Sequence, residues 1–389
     1  MKRKPQDNEF IKVLLVAPTS RYVGGQAVQA EALLQNWQNG GQVCMTFVPI
    51  DPLPPRLIRW SIRIKLLRTL VRTTIYLLSL LRNVPKADVV HVFSASYWSF
   101  VLAPTPAILI ARFMGKKSIL NYHSGEADDH FNRSPIFVKW VLKRVDLIVV
   151  QSEYLCHSFA RINYWPLVIP NVTDTSQFEF HLRRRLAPHL LCTRGFEQHY
   201  DIPTVIRAFE IVKKRYTNAT LTLVGTGPLE KTLHDMVTDR NLQGVTFAGA
   251  IAHRDMPKWY RENDILVNAS LIDNAPVSLI EAFAAGLAVV SSNSGGIPFM
   301  AEDGRTALLS AAGDAALLAA NIIRALDDSD LALRLITAAR QECTKYLWTA
   351  VGPLWLAAYR TVLSSAAAEP KNRNLHDPCV HSEKKDARA

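Results

Sequence analysis

At 389 residues the chain is too long for one ordinary core, and two domains are the natural expectation. Apolar residues make up 49% and charged residues 20%, a soluble globular mix with ample core material, while the five scattered cysteines show no C-x-x-C spacing and so argue against a disulfide framework or a zinc site and suit a reducing cytoplasm. The net charge of +11 is uneven: residues 1–185 hold 24 Lys and Arg against 12 Asp and Glu, and the rest hold 21 against 22, which asks for an anionic partner of the first half, either a membrane surface or nucleic acid.

The charged start "MKRKPQDNEF" leads only to "VLLVAP", too brief for a membrane span and without a signal-peptide cleavage pattern. Residues 12–18 read as a strand ending in the loop "TSRYVGGQ". Residues 26–38 then have helical spacing through Ala27, Ala30, Leu33, Leu34 and Trp37, stopped by "NGG". "QVCMTFVPI", "DVVHVFS", "KSILNYHS" and "DLIVVQS" are further strands, and strands separated by helical stretches indicate a parallel sheet with crossover helices. The uncharged run 92–111 is broken by Pro104 and Pro106 and reads as buried strand, loop and helix rather than a span.

Between the first two of these strands and the next, residues 56–83 carry seven Arg and Lys and no acid. Leu57, Trp60, Ile64, Leu67, Leu70, Val71 and Ile75 recur near helical spacing, giving a basic amphipathic helix able to lie on an anionic bilayer. The other reading is a solvated basic helix packed on the sheet. Nucleic acid finds no supporting motif.

After "PNVTDTSQF" the segment 179–188 reads as a linker, and the alternation resumes. "HLLCTRG", "ATLTLVGTG", "VTFAG", "DILVNAS" and "LAVVSS" are strands; 201–215, 228–241, 255–262, 276–285 and 314–327 are helices. The fold class is therefore α/β, with two doubly wound Rossmann-like halves expected to face a central cleft. "GTGPLE" has Glu230 where a dinucleotide fingerprint needs its third glycine, so nicotinamide binding is not expected. "DSD" (328–330) reads as a helix cap rather than a metal motif. The apolar helix 346–365 should pack on something, and 366–389 has almost no core material and reads as a disordered tail.

One helix raises a chemical question. Between Asn274 and Ala301 the only charged side chain is Glu281, and a buried carboxylate without partners costs several kcal/mol. Glu281 either faces water or has something to bind. Asp273 or Asn274 can cap its helix, Pro276 suits the first turn and Gly286 ends it. Free N–H groups near Ala275, Val277 and Ser278 would suit a phosphate. Two carboxylates beside an anion-binding helix end resemble a nucleotide-sugar site, where they accept hydrogen bonds from ribose or sugar hydroxyls.

Here the sequence resembles the retaining glycosyltransferases of the GT-B group called glycosyl transferases group one, or family four. The resemblance rests on Asp273 and Glu281 with seven residues between them, "AFAAG" and "SGGIP". Around these stand "GGQAVQAEALLQNWQNGG", "IPNVTDTSQF", "TRG", "LVGTGP", "FAG", "YRENDILVNAS" and "YLWTAVGPLWLAAY", in order over about residues 12 to 360. It implies a GT-B architecture with an N-terminal acceptor-binding domain at 11–178. A nucleotide-sugar-binding domain at 189–345 and a terminal helix at 346–365 returning to the first domain complete it. It implies that Glu281 contacts the ribose and Asp273 the donor sugar, and that Arg194 grips the diphosphate. His123 matches the acceptor-site histidine near the reacting carbon, and Gly24, Gly25, His199, Asn274, Ala275 and Val277 complete the donor-binding set. The chain departs from the family in three places. Asp273 replaces Glu, His199 followed by Tyr200 replaces a lysine, and Phe299 replaces an acid.

The expected function is transfer of a sugar from a UDP- or GDP-sugar to a lipid-linked or saccharide acceptor, with retention, in cell-envelope or exopolysaccharide synthesis. No metal and no cofactor are expected, because Arg194 and helix N-termini can meet the phosphate charge. The expected location is cytoplasmic, peripheral on the inner face of the membrane. A nucleotide-sugar epimerase of the same fold and a non-catalytic sugar- or lipid-binding protein are the alternatives.

Overall fold

The computed structural model describes residues 10–19, 25–38 and 41–364; Gly24 and the tail expected to be disordered lie outside them. Two compact units emerge, one running up to Pro170 and resuming at Val351, the other Asn171–Ala350.

The first unit is built on a six-stranded parallel sheet of β1 (Ile11–Ala17), β2 (Val43–Pro49), β3 (Val89–Ser94), β4 (Lys117–Tyr122), β5 (Leu147–Val150) and β6 (Leu167–Val168), in the order β2-β1-β3-β4-β5-β6. Helices cover the sheet, so its central strands are rich in Val, Ile and Leu, and every residue of β3 is buried. The order reverses between β1 and β3, the switch point at which such sheets bind ligands beyond their carboxyl ends.

A chain of buried polar groups ties the returning helix Trp348–Ser364 to this sheet. Tyr359 Oη lies 2.9 Å from His91 Nδ1, Asn121 Nδ2 is 3.2 Å from His91 Nε2, and Gln151 Nε2 donates to Asn121 Oδ1 at 2.5 Å. Because Asn121 presents its amide donor to Nε2, the imidazole is neutral with its proton on Nδ1. Trp355 packs on the same ring, its centroid 4.4 Å from that of His91.

The basic stretch 56–83 is not one helix. A 3-10 segment, Arg56–Arg63, is separated from the helix Lys65–Asn83 by Ile64, which is extended at φ −102° and ψ 115°. The helix anchors inward through Tyr76 and Leu80, and Tyr76 Oη donates to the Ala103 carbonyl at 2.6 Å. Leu57, Trp60, Ile64, Leu66, Leu70 and Leu78 are exposed. The stretch thus has one apolar face in the core and a second outside it. Among the described residues no helix is long and apolar enough to cross a membrane.

The second unit repeats the design with β7 (His189–Cys192), β8 (Thr220–Val224), β9 (Val245–Gly249), β10 (Ile265–Asn268), β11 (Ala288–Ser292) and β12 (Leu308–Ser310), all parallel, in the order β12-β11-β10-β7-β8-β9. Its switch point lies between β7 and β10. Residues 179–188, expected as a linker, belong to this unit. Arg183 is buried there, pairs with Asp264 at 3.0 Å and donates to the carbonyls of Ala285, Gly286, Tyr260 and Asn263. A guanidinium suits this task, because its five donors can serve the carbonyls that two helix ends leave over. The helix Ser329–Glu342 was not expected from the sequence, although Leu331, Ala332, Leu335, Ile336 and Ala339 give it a buried stripe and Asp328 caps it through the Leu331 N–H.

Three histidines of the first unit are held neutral. Burial pushes His91 and His123 down to about 3 and His130 to about 4. An unfolded histidine takes up its proton near pH 6.5, so the unfolded chain binds more protons and acid favours it. Stability should fall as pH drops below about 6.5, by up to about 1.4 kcal/mol per pH unit for each histidine. Six of the eight tryptophans lie in this unit, so urea unfolding followed by tryptophan fluorescence should show a falling midpoint between about pH 7 and 5. A midpoint that stays level over that range would contradict the assignment.

Candidate active site

The chemistry-bearing side chains of the second unit collect at its switch point. β7 runs out at Cys192 into Thr193 and Arg194, and β10 at Asn268 into a loop containing Ser270 and Asp273. Two glycines hold these loops by backbone contact. A Cβ on Gly225 would stand 2.1 Å from the Arg194 carbonyl oxygen, and one on Gly295, whose φ is +58°, 2.0 Å from that of Asp273. Asp273 O also accepts from the Gly296 N–H at 2.8 Å. Glycine alone permits such approach, and this gives "GTGP" and "SGG" their physical meaning here.

Arg194 forms an ion pair with Asp273, and each side chain is only 12% exposed. Its Nε donates to Asn268 Oδ1 at 3.2 Å, and its guanidinium carbon lies 4.9 Å from the centre of the Tyr200 ring, within cation–π range. Asn268, fully buried, also accepts from Ser270 Oγ at 2.7 Å and donates to Ser291 Oγ at 3.0 Å. The strand end therefore fixes the guanidinium plane before any ligand arrives. Neither Asp273 nor Asn274 caps the following helix. That helix starts at Val277 with extended Pro276 at the N-cap and no side-chain cap, while Asp273 turns to Arg194 and accepts from the Asn274 N–H at 3.0 Å. The uncapped first turn, Val277 and Ser278, presents N–H groups and the positive end of the helix dipole.

Glu281 lies inside the helix Val277–Ala285 and is 5% exposed. It does not face water. Tyr260 Oη donates to Oε2 at 2.6 Å, and His253 Nε2 lies 2.7 Å from Oε1. Burial first, and then the adjacent Glu281 charge, push the Tyr260 phenol well above its ordinary range, so it remains a donor. Each Glu281 oxygen keeps a further acceptor position beyond these bonds. Sequence reasoning missed His253, Tyr260 and Asn268. Asn268 alone carried a signal, as the polar residue closing the apolar strand "ILVN".

The other expected residues are distributed as follows. His199 is exposed in a 3-10 turn, its ring centroid 4.1 Å from that of Tyr200, and its carbonyl accepts from Leu271 N–H at 2.8 Å. Tyr200 rather than His199 touches Arg194. Ala275 O accepts from Asn171 Nδ2 at 3.0 Å. His123 belongs to the first unit, just past β4, with its N–H on the Ser94 carbonyl and its ring 4.6 Å from that of Phe93. Gly25 opens the helix Gly25–Gln38 that follows β1 at the first sheet's switch point. Among the described residues no cluster of three His, Cys, Asp or Glu could hold a metal ion.

Comparison with known proteins bears on the family and the fold. The family model described as "Glycosyltransferase Family 4" matches residues 23–177, and "Glycosyl transferases group 1" matches 176–342. A glycogen synthase of Mycobacterium tuberculosis is 29% identical over 296 residues, 71% of this chain and 70% of that protein. A GDP-mannose-dependent alpha-(1-6)-phosphatidylinositol monomannoside mannosyltransferase of the same organism is 26% identical over 52% of this chain and 60% of its own length. In fold, the chain resembles crystalline HepE from Anabaena in complex with UDP, with a TM-score of 0.72 and 14% identity over 90% of this chain and all of that one. With both halves matched in order and two parallel six-stranded sheets carrying them, the chain belongs to the group 1, family 4 glycosyltransferases of the GT-B fold.

Proposed function

We propose that this glycosyltransferase moves a sugar from a UDP- or GDP-sugar to a lipid-linked or saccharide acceptor, with retention at the anomeric carbon. The observation that carries the reading is the fixed guanidinium of Arg194 beside a carboxylate and an uncapped helix start, all at the switch point of one parallel sheet. Arg194 and the first turn at Val277 and Ser278 hold the diphosphate and offset the charge that builds on it as the sugar leaves. Glu281 takes the ribose hydroxyls on its remaining acceptor positions, with Tyr260 and His253 setting the plane of its carboxylate. Asp273 meets the sugar. UDP is the nucleotide in the HepE complex and GDP-mannose the donor named for the mannosyltransferase, which supports a nucleotide diphosphate without choosing the base.

For retention we favour a front-face displacement, in which the departing phosphate takes the acceptor proton and no side chain becomes glycosylated. His123 lines the acceptor side in this reading, held neutral by burial. The acceptor is a cell-envelope or polysaccharide intermediate, and the mannosyltransferase relative, whose named acceptor is a phosphatidylinositol lipid, supports the lipid form. The exposed apolar and basic stretch 56–83 attaches the first unit to an anionic bilayer, each cation near the surface contributing about 1 kcal/mol.

Arg194→Ala should lower turnover by about two to three orders of magnitude without unfolding the protein; near-normal turnover would move the diphosphate grip elsewhere. Glu281→Gln should weaken binding of UDP or GDP by roughly ten-fold and shrink the preference for the ribonucleotide over its 2′-deoxy form. Calorimetry with the four nucleotides checks this, and an unchanged preference would remove Glu281 from the ribose. Sedimentation with phosphatidylglycerol vesicles should show attachment at low salt that is lost at high salt. Protein that never sediments, or that stays bound in high salt, would contradict the bilayer assignment.

A further inference from the structure

Glu281 and its two partners stand on different helical segments, so their geometry depends on how those segments are held together. Tyr260 and His253, which hold one carboxylate oxygen each, come from the helix Met256–Arg261 and the 3-10 turn His253–Asp255 just before it. Glu281 comes from the helix Val277–Ala285. We propose that Arg183 is a positioning residue for the ribose end of the donor, because its guanidinium grips the carbonyl ends of both helices and so sets the gap that the Tyr260–Glu281 hydrogen bond spans. The inference rests on the reading of Glu281 as the ribose ligand and adds a residue that acts on it only through the protein.

The two ends of the guanidinium serve different helices. Nη1 donates to the carbonyls of Ala285 and Gly286 at 2.8 and 2.9 Å, and Nη2 to those of Tyr260 and Asn263 at 3.0 and 2.8 Å. Ala285 stands about one turn beyond Glu281, and Tyr260 is itself the donor to Glu281. The grip therefore closes within a turn or so of each partner in the bond. Nε is fixed by Asp264 Oδ1 at 3.0 Å, just before β10. The segment that brings Arg183 is bonded to the same helix end, with His181 N–H on the Ala285 carbonyl at 3.3 Å. The Arg183 side chain is only 8% exposed, so little water competes for these carbonyls.

The shape of the group matters as much as its charge. Carbonyls at a helix end lack intrahelical donors, and any buried cation would satisfy some of them. A guanidinium holds its donor nitrogens at a fixed separation in one plane, whereas a lysine ammonium is a single pivoting point. Without the plane the two helix ends can shift against each other, and the bond between Tyr260 and Glu281 weakens with its alignment. The acceptor positions that Glu281 keeps for the ribose lie in the same carboxylate plane. Their aim thus depends on Arg183.

The test is calorimetry on the full chain with UDP, GDP and their 2′-deoxy forms. For whichever base binds, the quantity read is the ratio of ribonucleotide to 2′-deoxynucleotide affinity, in which the contributions of base and diphosphate cancel. Arg183→Lys keeps the charge beside Asp264 and should lower this ratio by roughly three-fold, together with the urea midpoint. Tyr260→Phe should lower the ratio as well, and adding Arg183→Lys to it should lower the ratio no further, since both act through one bond. Ile206→Val, in a core cluster that includes neither helix, should lower the midpoint and leave the ratio unchanged. A wild-type ratio in Arg183→Lys overturns the proposal, because Arg183 then only braces the fold. So does a ratio that Ile206→Val lowers too, or effects of Arg183→Lys and Tyr260→Phe that simply add. Tyr260→Phe leaves Arg183 and its carbonyls in place, so a full preference in that variant overturns the route whatever Arg183→Lys does to folding. If Glu281→Gln keeps the wild-type ratio, the ribose reading itself falls. That outcome is distinct from a ratio that Glu281→Gln lowers and Arg183→Lys does not.

Discussion

Two backbone contacts that only glycine allows set the rest of the site. Gly225 presses on the Arg194 carbonyl and Gly295 on that of Asp273, so the loops after β7 and β10 are braced by their neighbours after β8 and β11. Parallel strands end with their last peptide groups unpaired, and the loops beyond them are normally the loosest part of the fold. Here side chains from different loops meet with their backbones already fixed, and little ordering remains to be done when a ligand arrives. A Cβ at either position would displace the loop that carries the charge. The effect would reach the site although neither glycine has a side chain to offer.

The same economy governs the charges. Arg194 answers Asp273, and Glu281 is answered by Tyr260 and His253; Arg183 answers Asp264 and six carbonyls. Every buried ion of the region thus has a partner brought from a distant part of the chain, as the cost of burying an unpaired charge requires. The partners are not equivalent in consequence. Tyr260 and His253 leave Glu281 with acceptor capacity to spare, and Asp273 engages Arg194 through Nη2 alone.

The alternation of apolar runs with helical periods was enough to read the α/β class and ten of the twelve strands, since buried parallel strands are continuous Val, Ile and Leu. The two that escaped, β6 and β12, are two and three residues long, too short to carry a period. The helix Ser329–Glu342 is legible in the apolar spacing of Leu331, Ala332, Leu335, Ile336 and Ala339. The break at Ile64 was not legible, because an amphipathic pattern runs through it. At the site, Glu281 announced itself as a lone charge in an apolar helix. His253 and Tyr260 did not, because a partner lying 28 or 21 residues away leaves no local signature. The cap assigned to Asp273 failed for a related reason. Local rules place an aspartate before a helix at its N-cap, and here a tertiary cation outbids the helix.

The distribution of charge gives these local arrangements a wider meaning. Residues 171–350, the second unit, hold 18 basic against 20 acidic side chains, so net charge draws no anion toward it. Under the proposed function a diphosphate there is recognised by fixed donors at short range, Arg194 on its Asn268 anchor and the uncapped turn at Val277. The first half, with twice as many basic as acidic residues, works in the opposite way. Its buried histidines stay neutral, and within the basic stretch 56–83 Leu57, Trp60, Ile64, Leu66 and Leu70 are exposed. Under the proposed function, such an arrangement suits a broad anionic surface rather than one phosphate.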